Sequence, residues 1–339
     1  MTVDITPTTG SHSAILSLGV YRPERVVTNE EVCKTIDSTD EWIRTRSGIR
    51  SRRFAGPGET SVTMATSAGR KAIAASGLDA AQIDCIIMAT SSHYNQTPQA
   101  ATLVADALGL DSPGSFDLSA GCAGFCHGLA VAADLVRAGS SRHVLVIGVD
   151  HMSVGLDMTD RTSAFIFGDG AGAVVVGPSD TAKIGPVVWG SDGGQANAIR
   201  QEPSWMDIVN SGDYERPSLR MEGQSVFRWA AFTIGKVAKD ALDASGVGVE
   251  DLDAFVPHQA NQRINELIVR GLKLPETVPV ADDIIETANT SAASVPLAME
   301  KMLREGQAPA GGLALLVGFG AGLSYAGQVV RLPEAPVES

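Results

Sequence analysis

Apolar positions along this chain follow two rhythms. In the first half, short and nearly unbroken apolar runs near 85–90, 115–119, 143–149 and 172–177 alternate with stretches near 60–76, 97–108 and 122–138 whose apolar residues recur at helical spacing. The runs predict strands buried on both faces, and the periodic stretches predict helices that cover them. The second half repeats the alternation, with strands near 253–257, 278–281, 313–318 and 326–331 and helices near 224–245, 261–272 and 292–305. Between them, 181–222 carries Gly193-Gly194, Pro203 and Pro217 with weak periodicity, which predicts a crossover and surface loops. No apolar run reaches the roughly 20 residues of a membrane span, and the opening MTVDITPTTGSHS lacks the basic-then-apolar order of a secretory signal. A cytoplasmic location is therefore expected, with both termini frayed.

The halves also match residue by residue. KAIAASGLDAAQIDCIIMATSS from Lys71 has the layout of KDALDASGVGVEDLDAFVPHQA from Lys239, and HVLVIGVD lies over GLALLVGF. Each unit reads as an amphipathic helix ending near a glycine, then a turn, then a short apolar strand. The expected architecture is α/β, built from two duplicated halves, 1–180 and 181–339, packed as a pseudo-dimer.

Composition narrows the function. Hydrophobic residues make up 44% of the chain and aromatic residues only 5%, so the core is aliphatic. A formal charge of −13 argues against nucleic acid as the main partner, because phosphate binding depends on a broad basic surface. Locally the balance reverses, with Arg44, Arg46, Arg50, Arg52 and Arg53 falling inside ten residues. Such a cluster reads either as a solvated charged face or as a docking site for a phosphate-bearing small molecule or an acidic protein. The four cysteines, Cys33, Cys85, Cys122 and Cys126, lack paired metal-ligand spacing. Reduced thiols and no structural metal are expected.

Candidate chemistry begins at SFDLSAGCAGFCHGLAVAADLV, an apolar strand, a small-residue turn and a helix whose first turn carries Cys122. Unpaired backbone N–H groups at a helix start favour thiolate over thiol and predict a depressed cysteine pKa. A small buried residue is the alternative, and it suits Cys33, Cys85 and Cys126 better. A cysteine acyl carrier needs a partner that handles protons or stabilises an enolate. His258 in FVPHQANQRI follows an apolar strand and precedes a helix, so it belongs at the carboxyl edge of a sheet. Asn289 in ETANTSAAS opens the next helix, and the repeat brings it near the Cys122 turn; an N-cap is its other reading. The glycine-rich turns at 168–173 and 318–327 match no nucleotide-binding fingerprint, and the 318–322 turn is the better candidate to aim N–H groups at an oxyanion.

Taken in order, DSTDEWIRTRSGIRSRR, AGCAGF, FGDGAGA, VPHQAN and ANTS resemble the β-ketoacyl-acyl-carrier-protein synthase III family across nearly the whole chain. The resemblance implies a thiolase fold of five αβαβα layers, usually a homodimer, and an acyltransferase initiating fatty acid synthesis with Cys122, His258 and Asn289 as catalytic trio. An acyl group from acyl-coenzyme A would load on Cys122 and condense with malonyl-acyl carrier protein as carbon dioxide leaves. The backbone N–H groups of Cys122 and Ala321 would form the oxyanion hole. Trp42 and Arg46 would hold the adenine end of coenzyme A, with Arg161 adding charge. Gln259, Ala260, Asn261, Gln262 and Arg263 would contact acyl carrier protein, with Arg270 on the same helical face. No metal or cofactor beyond the substrates is implied. Gln224 and Ser38 stand where relatives often carry Asn and Thr. Thr97 stands where short-chain members often have phenylalanine, in a loop that lines the acyl pocket across the dimer interface, so chains longer than acetyl are expected.

Three other readings stay open. A relative from secondary metabolism would pass the acyl group to a different acceptor, although simple transfer does not require an enolate-stabilising Asn289. A silent carrier-binding partner would not need the full trio. A papain-like hydrolase would carry a different local signature and no duplication.

Overall fold

The computed structural model describes residues 12–334, so most of the opening segment and the end of the C-terminal tail lie outside it. The first half contains β1 (His12–Tyr21), β2 (Arg25–Thr28), α1 (Asn29–Val32), α2 (Asp40–Ser47), β3 (Ser51–Phe54), α3 (Ser61–Ser76), β4 (Cys85–Ala89), α4 (Ala100–Leu108), β5 (Gly114–Leu118), α5 (Gly124–Ala138), β6 (Val144–Asp150) and β7 (Gly170–Ser179). After it come β8 (Val188–Ser191), β9 (Ile199–Glu202), α6 (Trp205–Ser211), β10 (Ser218–Met221), α7 (Gly223–Ser245), β11 (Ala254–Pro257), α8 (Gln262–Leu272), α9 (Ile284–Thr287), α10 (Ser294–Arg304), β12 (Leu313–Gly320) and β13 (Ser324–Arg331).

Two sheets organise these elements. The first has the order β1-β7-β6-β4-β5 and the second the order β11-β12-β13-β8. Strands β5, β4 and β6 run parallel, as do β11 and β12, while β7 and β13 return antiparallel beside β6 and β12. Helices α3 and α4 pack on the first sheet and α7 on the second, α8 lies against α7 with Ile264 and Ile268 in the same apolar cluster as Phe255 and Leu315, and α5 and α10 contact both sheets. The result is five layers of the thiolase fold. The middle layer holds the largest apolar core, with Phe125, Leu129, Met299 and Met302 between Val146 and Val174 of one sheet and Leu316 and Val330 of the other.

Local chemistry supports the duplication. Helices α3 and α7 end at Gly77 and Gly246, the residues matched in the repeat, with φ of +70° and +65°. Glycine adopts this left-handed stop without the Cβ penalty that other residues meet.

The structure departs from the sequence expectation in three places. Strand β1 is absent from the predicted set because its pattern is diluted by serine and glycine, yet close packing demands those small residues. Ser17 donates to the Ala72 carbonyl at 2.6 Å, and a Cβ on Gly19 would lie 2.3 Å from the Ala72 nitrogen. The 181–222 stretch is more than loops, since β8 forms an edge of the second sheet and β9 pairs with β10. Conversely, 278–281 forms no strand among the described residues, and Val280 makes only an isolated bridge to Phe255.

The arginine cluster also divides. Arg52 is wholly buried and donates to the Val27 and Phe165 carbonyls and to Asn29 Oδ1 at 3.3, 2.8 and 2.8 Å. Burial lowers its pKa to about 10, which leaves it charged at neutral pH. Arg44 pairs with Asp40 and Arg53 donates to the Pro23 and Glu24 carbonyls, whereas Arg46 and Arg50 remain exposed. Arg52 thus pins the 22–59 excursion to the core. Replacing Arg52 with Met strands three buried acceptors, and the expected loss is about 3 kcal/mol or more, at roughly 1–3 kcal/mol for each unsatisfied group. A chemical-denaturation midpoint unchanged in Arg52→Met would contradict this role.

Candidate functional site

Cys122 lies in a tight turn, Gly121–Ala123, between β5 and α5. The turn nests against the end of β12: a Cβ on Gly320 would sit 2.7 Å from Cys122 Cβ, and one on Gly121 would sit 3.2 Å from the Ala321 nitrogen. Only this small-residue contact lets the Ala321 N–H reach the thiol. The thiol is pushed up to about 11, chiefly by burial. The Ser291 side chain and the N–H groups of Cys122 and Ala321 pull downward, while the Asp150 charge pushes up. This reverses the expectation of a depressed pKa. A helix start supplies only partial charges, and in this enclosed site they do not offset the lost hydration of a full negative charge.

His258 leaves the end of β11, its N–H donating to the Val317 carbonyl at 2.7 Å. The imidazole is buried, lies edge-on to Phe319 with centroids 5.1 Å apart, and places Nδ1 2.6 Å from Ser294 Oγ. Because the Gln259 N–H already points at that oxygen, the serine proton is assigned to Nδ1 and the imidazole proton to Nε2. Burial lowers the histidine pKa to about 3, so the ring is neutral at physiological pH.

Asn289 is held from both sides. Its N–H donates to the Ile166 carbonyl at 2.9 Å, and its own carbonyl accepts from Gly168 at 3.0 Å. Oδ1 accepts the Ser291 N–H at 2.8 Å, leaving the side-chain NH₂ for another partner. The preceding Ala288 has φ +56° and ψ −156°, a region other than glycine rarely visits, at about 1–3 kcal/mol. The Ser291–Ala293 turn that follows Asn289 and leads into α10 is the counterpart of the Cys122 turn, and the two turns pack together.

Cys122, His258 and Asn289 all line one cavity of about 280 Å³, together with Phe319, Gly320 and Ala321. Other predicted residues lie farther out. Arg161 covers the Trp42 ring, its guanidinium carbon 5.1 Å from the centroid, so a ligand ring stacking on Trp42 has to displace it. Among the 259–263 residues, Ala260 and Asn261 line the cavity, Asn261 also donating to the Arg46 carbonyl. Gln262 packs under Gly48 and Arg263 lies exposed over Phe227. Gln259 corrects the expectation of a surface contact: it is fully buried, with its amide bonded to the Pro257 and Ala281 carbonyls and the Ile284 N–H. Thr97 is exposed and does not line the cavity of its own protomer. Cys33 is only half-buried, unlike Cys85 and Cys126.

Sequence reasoning missed Asp150. This fully buried carboxylate accepts the Ser91 N–H at 2.8 Å and the Ser91 and Ser92 hydroxyls at 3.1 and 2.7 Å through Oδ1. Its Oδ2 accepts the Ala292 N–H at 3.2 Å. One side chain therefore ties the 90–92 wall to the Asn289 turn, across the two halves. The available signal was an acid ending the apolar run VLVIGVD, since buried acids persist only when fully bonded.

Because burial disfavours the thiolate, iodoacetamide labelling of Cys122 should accelerate about tenfold per pH unit through neutrality and level off only near 11. Asp150→Asn should move the plateau to lower pH by removing a nearby negative charge. A plateau already reached at pH 7 would contradict the raised thiol.

Models described as 3-oxoacyl-[acyl-carrier-protein] synthase III and as its C-terminal region match residues 116–193 and 242–332. A β-ketoacyl-[acyl-carrier-protein] synthase III of Mycobacteroides abscessus is 59% identical over 99% of both chains. Among solved structures, the priming β-ketosynthase of the R1128 polyketide pathway superposes with a TM-score of 0.96 at 49% identity, covering 98% of this chain and 100% of that one. 3-Oxoacyl-(acyl carrier protein) synthase III of Pseudomonas aeruginosa gives 0.88 at 37%, covering 96% and 99%.

Proposed function

The chain belongs to the β-ketoacyl-acyl-carrier-protein synthase III family of condensing acyltransferases, and from that premise we propose how its own residues carry the reaction. Cys122 Sγ attacks the thioester carbonyl of an acyl-coenzyme A, and the oxyanion forms between the N–H groups of Cys122 and Ala321. Collapse breaks the bond to coenzyme A, whose thiolate takes up the proton that Cys122 released on attack, and leaves the acyl group on Cys122. Malonyl-acyl carrier protein then places its thioester oxygen between His258 Nε2–H and the Asn289 NH₂. Carbon dioxide departs with cleavage of the carboxyl bond, and the electron pair enters an enolate. That carbon attacks the acyl-enzyme and expels the Cys122 thiolate, which regains its proton from solvent, giving a β-ketoacyl carrier that enters fatty acid synthesis.

The observation that carries this reading is the pair of neutral donors that line the same cavity as the thiol. Asn289 has its oxygen occupied by Ser291, and His258 has Nδ1 occupied by Ser294, so each has an N–H left to offer. Two buried donors suit a developing enolate oxygen better than they suit a proton-abstracting base. The likeness to a priming ketosynthase favours a second reading, in which the same condensation primes a polyketide.

Trp42, Arg46 and Arg161 would receive the nucleotide end of coenzyme A, and Ala260 to Arg263 with Arg270 an acidic carrier protein. The reaction would proceed in the cytoplasm without a cofactor. A homodimer is supported by β5, a sheet edge with one side unpaired, beside the exposed Phe116 and Leu103. Thr97 would then approach a cavity from the second copy.

Intact-protein mass spectrometry with acyl-coenzyme A should give an adduct on the wild type and none on Cys122→Ala. His258→Ala and Asn289→Ala should retain loading but slow discharge by malonyl carrier about 10²–10³-fold; equal loss of both half-reactions would contradict the enolate role. For the assembly, Phe116→Lys should weaken dimerisation in sedimentation experiments, and an unaltered dimer would exclude the β5 edge as its seam.

A further inference from the structure

One end of the cavity is apolar, built around Met152, Phe167, Leu219 and Met221. Tyr94 and Gly155 line the same cavity. They are matched to each other: a Cβ on Gly155 would lie 2.2 Å from Tyr94 Oη and 3.5 Å from its Cζ. The phenol therefore occupies the space that any larger residue at 155 would take. Tyr94 remains 42% exposed, so one face borders the cavity and another faces outward. Its hydroxyl has no hydrogen-bond partner among the described residues, and bulk rather than a polar contact holds the wall closed. The backbone at Gly155 is not left-handed, so alanine is compatible with its conformation and the conflict is with Tyr94 alone.

We propose that the Tyr94 phenol, seated over Gly155 at the apolar end of the cavity, sets the upper length of the straight acyl chain that loads on Cys122. The inference rests on the acyl-enzyme reading above and makes it specific. A saturated chain extending from Cys122 fills the apolar end until its terminal methyl meets the ring. Further methylenes must then enter water or displace the phenol. Tyr94 acts from within its own protomer, whereas Thr97 does not border its own cavity.

The test is loading of a straight-chain acyl-coenzyme A series, from acetyl upward, followed as adducts on Cys122 by intact-protein mass spectrometry. For Tyr94→Ala, loading of the first chain beyond the wild-type limit should rise about 10-fold or more, the discrimination that a single methylene can command in an apolar pocket. Gly155→Ala should force the ring inward and shorten the accepted chain. Tyr94→Phe, which removes the clashing oxygen, should restore the wild-type limit in the Gly155→Ala background while changing little by itself. This coupled pair decides the matter even where Tyr94→Ala does not fold. A length profile unchanged in both Tyr94→Ala and Gly155→Ala, with loading intact, would overturn the inference and leave the acyl-enzyme reading standing. Absence of any adduct on wild-type Cys122 would overturn both.

Discussion

Two helices of this protein begin in its interior, and most of the site follows from that constraint. A helix start leaves backbone N–H groups without intrahelical partners, and burial removes the water that would otherwise satisfy them. At the start of α10 the chain provides acceptors of its own: Asn289 Oδ1 for the Ser291 N–H, the Thr290 carbonyl for Ala293 and the Asp150 carboxylate for Ala292. At the start of α5, the Ala123 N–H bonds to the Ala120 carbonyl, while among the described residues the Cys122 N–H meets only its own thiol. The donor left over is the one that a substrate oxygen can use.

The same enclosure decides protonation. Cys122 and His258 are both driven toward their neutral forms, the thiol to about 11 and the imidazole to about 3, with burial the first cause in each case. The resting site therefore carries no thiolate–imidazolium pair. In the proposed reaction charge would appear only transiently, on oxyanion and enolate oxygens, beside N–H groups that need not reorganise. Close packing maintains this geometry. A Cβ on Gly148 would lie 2.3 Å from the Ala292 carbonyl, so β6 and the Asn289 turn approach as nearly as backbone allows.

Duplication explains why two such helices meet. Each half builds a parallel core of strands whose following turn opens a central helix, and packing the halves back to back brings the turns together. The repeat is one of architecture rather than chemistry. One turn carries Cys122, the other follows Asn289, and His258 leaves the strand of the second half that matches β4.

The sequence by itself determined the elements whose signal is local. Continuous apolar runs marked β4, β6 and β12, helical spacing marked α3, α5, α7 and α10, and the duplication predicted two stacked halves. The convergence of Cys122, His258 and Asn289 on one cavity was legible because each follows a strand or opens a helix. Tertiary structure alone decided which neighbours surround a residue. Gln259 sits in a motif that reads as surface yet is sealed under the Pro257 and Ala281 carbonyls. Of five arginines within ten residues, Arg52 is interior and Arg46 is exposed, a difference invisible in charge spacing. Strand β1 needed Ser17 and Gly19 to lie against α3, so packing removed the very residues that would have marked it as a strand. The direction of the Cys122 shift depended on how completely both halves exclude water. Periodicity along a chain records the shape of each element, whereas desolvation depends on all the elements packed around a group.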